Sequence, residues 1–270
     1  MPYYPQLIAG GLTVQRPYQC AQAALTSYED QATGRRFARS WRANPLGRWT
    51  LNYQHLTDAE LATLEAFFAS MGGRFGEFTF LDPGGNLAQF SDDFAPAAWE
   101  KYDVTPGAAV TDPFGGTRAM ACAATGANGM LAASVLPGGG AAGFVLCASV
   151  WARSSSPASL SIGFVDAGFT VLAAKTAELP ANTWVRIRHA HLLSSASAIR
   201  MLIGGFGTWN ASTLELFGAQ CAPMPGAGAY QRSPANWALR TKCRFDTDAL
   251  QIRTLGPNQH SVSVPIVEYK

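Results

Sequence analysis

The alternation of apolar and polar positions is clearest between residues 49 and 83. Trp49, Leu51 and Tyr53 alternate with Thr50 and Asn52, the period of a half-buried strand. Leu56-Thr57-Asp58-Ala59-Glu60-Leu61 comes next. Thr57 can accept from the first free amides of a helix, and Glu60, three residues on, can reach back to the Thr57 N–H. Leu56 and Leu61 fit a hydrophobic staple, and Asp58 and Glu60 suit the positive end of the helix dipole. Leu61, Leu64, Phe67, Phe68 and Met71 recur at helical spacing, so the pattern predicts a helix over 58–71 with one apolar face. Gly72-Gly73 stops it, because glycine takes the left-handed cap without a Cβ clash. A second strand, 75–81, ends in the turn sequence Asp82-Pro83-Gly84-Gly85. The stretch carries no nucleophile or metal cluster, and its aromatics read as core.

Around this element the pattern is that of a β protein. Pro2, Pro5 and Gly10-Gly11 make an extended start. Residues 35–42 and 48–53 predict a strand pair joined by the turn Asn44-Pro45-Leu46-Gly47. From Phe90 to Arg232 no helical period appears. Short alternating segments separated by Gly, Pro, Asn and Ser predict strands at 130–135, 143–152, 159–165, 170–176, 183–192, 199–205 and 213–221. That spacing is a sandwich or jelly roll. Residues 243–255 read as a strand or strand pair. Val262, Val264 and Ile266 mark a final strand, which Pro265 assigns to a sheet edge. The fold class is therefore mainly β: a β-sandwich with one short α-helix, formed by residues 1–89 and 234–270, with a jelly-roll β-sandwich, 90–233, inserted between them.

Composition narrows the function classes. The chain has 270 residues, of which 14% are charged, and a formal net charge of +2. No electrostatic footprint for nucleic acid follows from that. The densest basic stretch is Arg35, Arg36, Arg39, Arg42 and Arg48. Arg35, Phe37, Arg39 and Trp41 would share one strand face, as a solvated edge or, with Arg48, as an oligomer interface. Five cysteines, with no C-x-x-C pair, argue against a zinc site or disulfide framework. Cys122 and Cys147 read as small buried hydrophobes, as in a reducing cytoplasm. Residues 1–5 show no basic leader, and no apolar run reaches the ~18 residues of a membrane helix, so no membrane insertion is expected.

Candidate chemistry is sparse. His189 and His191 share a strand face, which can bind metal but reads first as an outward polar face. No H-E-x-x-H or G-x-S-x-G occurs. Asp92-Asp93 could give oxygen ligands to a structural calcium, helped by Asp103 or Asp112, against the plainer reading of a polar turn. No catalytic residues and no cofactor are assigned, and no enzyme is expected. Among Trp99, Trp151, Trp184 and Trp209, the strand tryptophans 151 and 184 read as core. Trp209, between strands and beside Asn210, reads as an exposed sugar platform, with Asp166 and Arg200 as polar companions.

Two resemblances give these patterns a context. The stretch LTDAELATLEAFFASMGGRFGEFTFLDP, with Arg39-Ser40-Trp41 and Arg48-Trp49 before it, resembles the N-terminal region of distal tail proteins of long-tailed phages and gene transfer agents. In that family the helix packs on a small sandwich and six copies form a ring at the end of the tail tube. Residues 90–233 resemble jelly-roll carbohydrate-binding modules. Phe90-Ser91-Asp92-Asp93-Phe94 through Trp99, Phe144 to Arg153, Trp184-Val185-Arg186-Ile187, and Leu216-Phe217-Gly218-Ala219-Gln220 with Gly226 and Tyr230 carry the likeness. The family's acidic residue after Gln220 is absent, since the sequence reads Cys221-Ala222-Pro223.

The resemblance implies a virion structural protein of the tail tip or baseplate, made and assembled in the host cytoplasm. It would self-associate as a hexameric ring, touch the tail tube and tail-tip hub proteins, and carry an outer module for host-surface glycan. The alternative is a stand-alone carbohydrate-binding lectin or adhesin. A glycosidase ranks last.

Overall fold

In a computed structural model, the described residues are 1–7, 19–24, 26–30, 33, 35–40, 46–126, 128–138, 142–194, 197–209, 212–234 and 238–269. In order, the strands are β1 (Gln19–Ala23), β2 (Thr26–Asp30), β3 (Arg36–Ser40), β4 (Leu46–Leu56), β5 (Phe78–Leu81), β6 (Trp99–Tyr102), β7 (Val104–Val110), β8 (Ala119–Ala124) and β9 (Met130–Leu136). They continue as β10 (Val145–Ser154), β11 (Ala158–Asp166), β12 (Val171–Leu179), β13 (Val185–Leu192), β14 (Ile199–Gly204), β15 (Thr213–Ala222), β16 (Leu239–Phe245), β17 (Ile252–Gly256) and β18 (Gln259–Glu268). The helix α1, Asp58–Met71, lies between β4 and β5. No helix among the described residues is long and apolar enough to cross a membrane. The chain divides into two compact units, Met1–Phe80 with Arg240–Lys270, and Leu81–Leu239.

The first unit is built on a sheet ordered β1-β4-β18-β16-β5, with β17 paired to β18. Trp49, Leu51 and Tyr53 of β4 stand opposite Ile266, Val264 and Val262 of β18. All six are buried and form one face of the core. Helix α1 closes that core with buried Leu64 and partly buried Phe67, Phe68 and Met71. Its start is the predicted capping box. Thr57 Oγ1 accepts from the Glu60 N–H at 3.3 Å, and Glu60 Oε2 accepts from the Thr57 N–H at 3.0 Å. Its end is Gly72, at φ 61°.

Two expectations fail here. Residues 35–42 do not pair with 48–53: β3 pairs with β2, and β4 already holds β1 and β18 on its two edges. Pro265 also lies in a central strand. Its carbonyl accepts from the Asp246 N–H at 2.9 Å, just past the last β16–β18 residue pair, Phe245–Ile266. In an antiparallel strand one residue's N–H and C=O point to the same side. The missing proline N–H therefore falls where the ladder with β16 ends, and costs no central bond.

The second unit is two five-stranded antiparallel sheets, ordered β13-β10-β15-β8-β7 and β12-β11-β14-β9-β6. That is the jelly-roll sandwich. Strand alternation sends Leu146, Ala148, Val150 and Ala152 of β10 inward, all buried, and places Ser149, Trp151 and Arg153 on the other face, where Ser149 is covered and the two larger side chains are partly exposed. The three strands missed in the sequence, β6 to β8, are short and rich in alanine or interrupted by proline, so they carry little apolar period.

Candidate functional site

The outer face of β10, β13 and β15 gathers aromatic rings and guanidinium groups. Trp151 is its centre and is only half-buried, not core. Directly opposite it on β13 is Arg186, whose guanidinium lies 4.1 Å from the centre of the indole. Phe217 and Tyr230 pack against the ring at centroid distances of 5.9 and 5.8 Å. Phe114, 66% exposed, meets it edge-on at 5.5 Å. Trp184, also half-buried, stacks under Arg153 at 4.9 Å, and Arg153 is ion-paired to Glu215.

A bulge in β15 makes this face. Ser149 stands opposite Gln220, but Trp151 stands opposite Phe217, so β15 has one extra residue between them. Gly218, at φ 64°, takes up that residue. The parity of the strand flips, so Glu215, Phe217 and Gln220 share the face of Trp151 while Leu214, Leu216, Ala219 and Cys221 face the other sheet; Phe217 and Gln220 are themselves covered, and only Glu215 is partly exposed. A Cβ on Gly218 would also lie 3.1 Å from the Trp151 ring and 3.3 Å from Tyr230.

Polar contacts hold the groups in place. Arg186 donates to the Gly228 carbonyl at 2.8 Å and to Ser149 Oγ and Gln220 Oε1, each at 3.1 Å. Burial, then the Arg188 charge, lowers the Arg186 pKa from the usual arginine value. Its Nε is buried without a hydrogen-bond partner among the described residues. The loop carrying Phe114 is anchored by Asp112, whose carboxylate accepts from the Phe114, Gly116 and Arg118 N–H groups at 2.8, 3.1 and 3.3 Å. Burial by itself would raise that carboxyl, but these three donors and the Arg118 charge hold it below its ordinary range.

Asp92 is not placed as a calcium ligand. Its side chain is engaged by Arg118 at 3.2 Å, Arg232 at 3.0 Å and the Tyr230 hydroxyl. Asp93 caps the Ala95 N–H at 3.0 Å. No group of three or more His, Cys, Asp or Glu side chains suited to a metal occurs among the described residues. Burial and the Asp92 contact raise the Tyr230 hydroxyl above its ordinary pKa, so the Tyr230 proton stays in place and is donated to Asp92.

The other sequence-assigned residues lie elsewhere. Trp209 is fully buried and is no platform. Its Nε1 donates to the Ser212 carbonyl at 3.0 Å, and its ring fills the space left by Gly129 and Gly204. Asn210 lies outside the described residues. Asp166 accepts from the Gly168 and Thr170 N–H groups at 2.8 Å each, closing the β11–β12 hairpin. Thr170 first, then Gly168 and the Arg200 charge, hold its carboxyl below the usual range despite some desolvation. Arg200 pairs with Glu100 and lies 4.5 Å over Phe169. Asp166 and Arg200 thus sit on the sheet opposite to Trp151.

His189 and His191 turn inward rather than outward, against buried Phe164 at 6.5 and 6.3 Å. They stand opposite Ala148 and Leu146, so the strand register puts them on the inner face. Burial, then His191 and Lys175, depress the His189 pKa.

In the first unit, Arg35, Phe37 and Arg39 are exposed on the β2–β3 hairpin, Phe37 at 54%. Trp41 lies outside the described residues, and Arg48 belongs to β4, 4.0 Å from Asp246.

No protein-family model matches the sequence, and no curated protein matches it. Several solved structures are similar in part. The CBM22-1 xylan-binding domain of Paenibacillus barcinonensis Xyn10C is 15% identical with a TM-score of 0.42, covering 54% of this chain and 99% of that one. The C-terminal family 22 carbohydrate-binding module of Clostridium thermocellum Xyn10B is 16% identical, TM-score 0.41, over 54% and 98%. The enzymatically active domain of bacteriophage CBA120 tailspike protein 4 is 12% identical, TM-score 0.37, over 53% and 21%.

Proposed function

We propose that the second unit binds carbohydrate on the outer face of β10, β13 and β15. The observation that carries this is the ring cluster of that face: exposed Phe114 set edge-on against the partly exposed Trp151, which is backed by buried Phe217 and by Tyr230, with the Arg186 guanidinium over the indole and Arg188 exposed beside it. A sugar ring has apolar faces and a polar rim. It is matched by a rigid aromatic surface with a few placed hydrogen-bonding groups at its border. The supporting hydrogen bonds hold these groups in position before any ligand arrives, which limits the ordering cost of binding. The test is affinity electrophoresis of the full chain in gels containing plant, bacterial and algal polysaccharides. Trp151→Ala is expected to weaken binding by about tenfold or more, the loss of one stacking contact of ~1.5 kcal/mol. Unchanged retardation of a folded Trp151→Ala chain would remove this face from the site.

The first unit supports a second reading for the chain as a whole: a ring-forming subunit of a phage tail tip that carries the sugar-binding unit to the host surface. The β2–β3 hairpin favours it. Its aromatics are solvent-exposed, Tyr28 at 62% and Phe37 at 54%, and arginines flank them. Arginine and aromatic residues together are what subunit interfaces enrich.

A further inference from the structure

The arginines of the second unit do not all have acidic partners. Arg118 pairs with Asp92 and Asp112, Arg153 with Glu215, Arg200 with Glu100, and Arg232 with Asp92. Arg186 and Arg188 pair with no carboxylate among the described residues. They are two apart on β13, opposite Trp151 and Ser149, so both side chains belong to the face that carries Trp151. The hydrogen bonds of Arg186 go to neutral oxygens only: a carbonyl, a hydroxyl and an amide. These orient the guanidinium without neutralising it. Glu215, the acid on the same face, is already bound to Arg153.

Two like charges held side by side repel, and the arrangement is costly unless something negative arrives. Arg186 Nη2 is spent on Ser149 and Gln220 and Nη1 donates to Gly228, so Arg186 contributes mainly its charge, and a guanidinium with free N–H groups beside it is the planar donor fork suited to a carboxylate. Arg188 is exposed and open to solvent beside it.

From this pair without a counter-charge, beside an aromatic cluster, we infer that the ligand is an acidic glycan, one whose uronate-type carboxylate is held by Arg188 in the field of Arg186 while its sugar ring lies against exposed Phe114 and the open edge of Trp151. This rests on the carbohydrate reading of the same face. Neutral polysaccharides leave the pair without its counter-charge and bind more weakly.

The experiment titrates the full chain, by calorimetry, with polygalacturonate, alginate and hyaluronan, and with each polymer after its carboxylates have been reduced to hydroxymethyl groups. Neutral xylan and mannan and single-stranded DNA complete the set. The expected result is binding to at least one acidic polymer, weakened about tenfold by carboxyl reduction and by Arg188→Gln, the loss of one charge-assisted contact. Rising salt weakens the same binding. Arg188 is exposed, so Arg188→Gln leaves the fold intact, which its unfolding curve checks. Equal binding of acidic and reduced polymers, or of parent and Arg188→Gln, overturns the acidic preference and leaves the carbohydrate reading standing. Binding to DNA alone, or to nothing in the set, overturns both.

Discussion

Gly218 shows how much one position decides. Its left-handed backbone creates the bulge that turns Phe217 and Gln220 to one side, and its missing Cβ lets Trp151 and Tyr230 close over it. Gly218→Ala is expected to destabilise the chain by about 1–2 kcal/mol from backbone strain alone. Sugar binding should weaken with it, because the indole must move. Chemical denaturation checks the first, affinity electrophoresis the second. A variant as stable as the parent would show that the bulge relaxes freely. Trp209 teaches the opposite lesson. Its neighbours Gly207 and Asn210 read as an exposed loop, yet the ring is buried because Gly129 and Gly204 leave room for it. Local composition cannot reveal a partner 80 residues away in the chain.

Elements differ in how far they are self-contained. Helix α1 has its start signal, stop signal and apolar face within one stretch, and its ends fall where the pattern puts them. Thr57→Ala removes the acceptor for the Glu60 N–H and should cost about 1 kcal/mol, read as a lower denaturation midpoint. No loss of stability would mean that the tertiary contacts of Leu64 and its neighbours hold the helix without its cap. The strands between 130 and 222 are equally legible, each within three residues of its predicted ends, because burial on one face imposes a strict alternation. Strand partners were not legible. Strands β3 and β4 looked like neighbours across a good turn, but pairing depends on which edges are free, and β4's edges were taken by β1 and by β18, over 200 residues away.

For the molecule as a whole, the tail-tip reading makes a claim about assembly. Light scattering of the purified chain over a concentration series should show self-association into a closed ring, visible by negative stain. Phe37→Glu with Arg39→Glu in the exposed hairpin should reduce it, since charge in an interface core is disfavoured. A chain that stays monomeric at every concentration would count against the ring. The sequence by itself determined the β class, helix α1 and its caps, and most strand positions. These depend on local periodicity and on backbone chemistry within a few residues. It also contained every residue of the Trp151 face, but read Trp151 and Trp184 as core. Their exposure depends on strand parity after a bulge and on which side of a sheet the second sheet covers. Those are properties of strands brought together from Phe114 to Tyr230, and they exist only once the chain is folded.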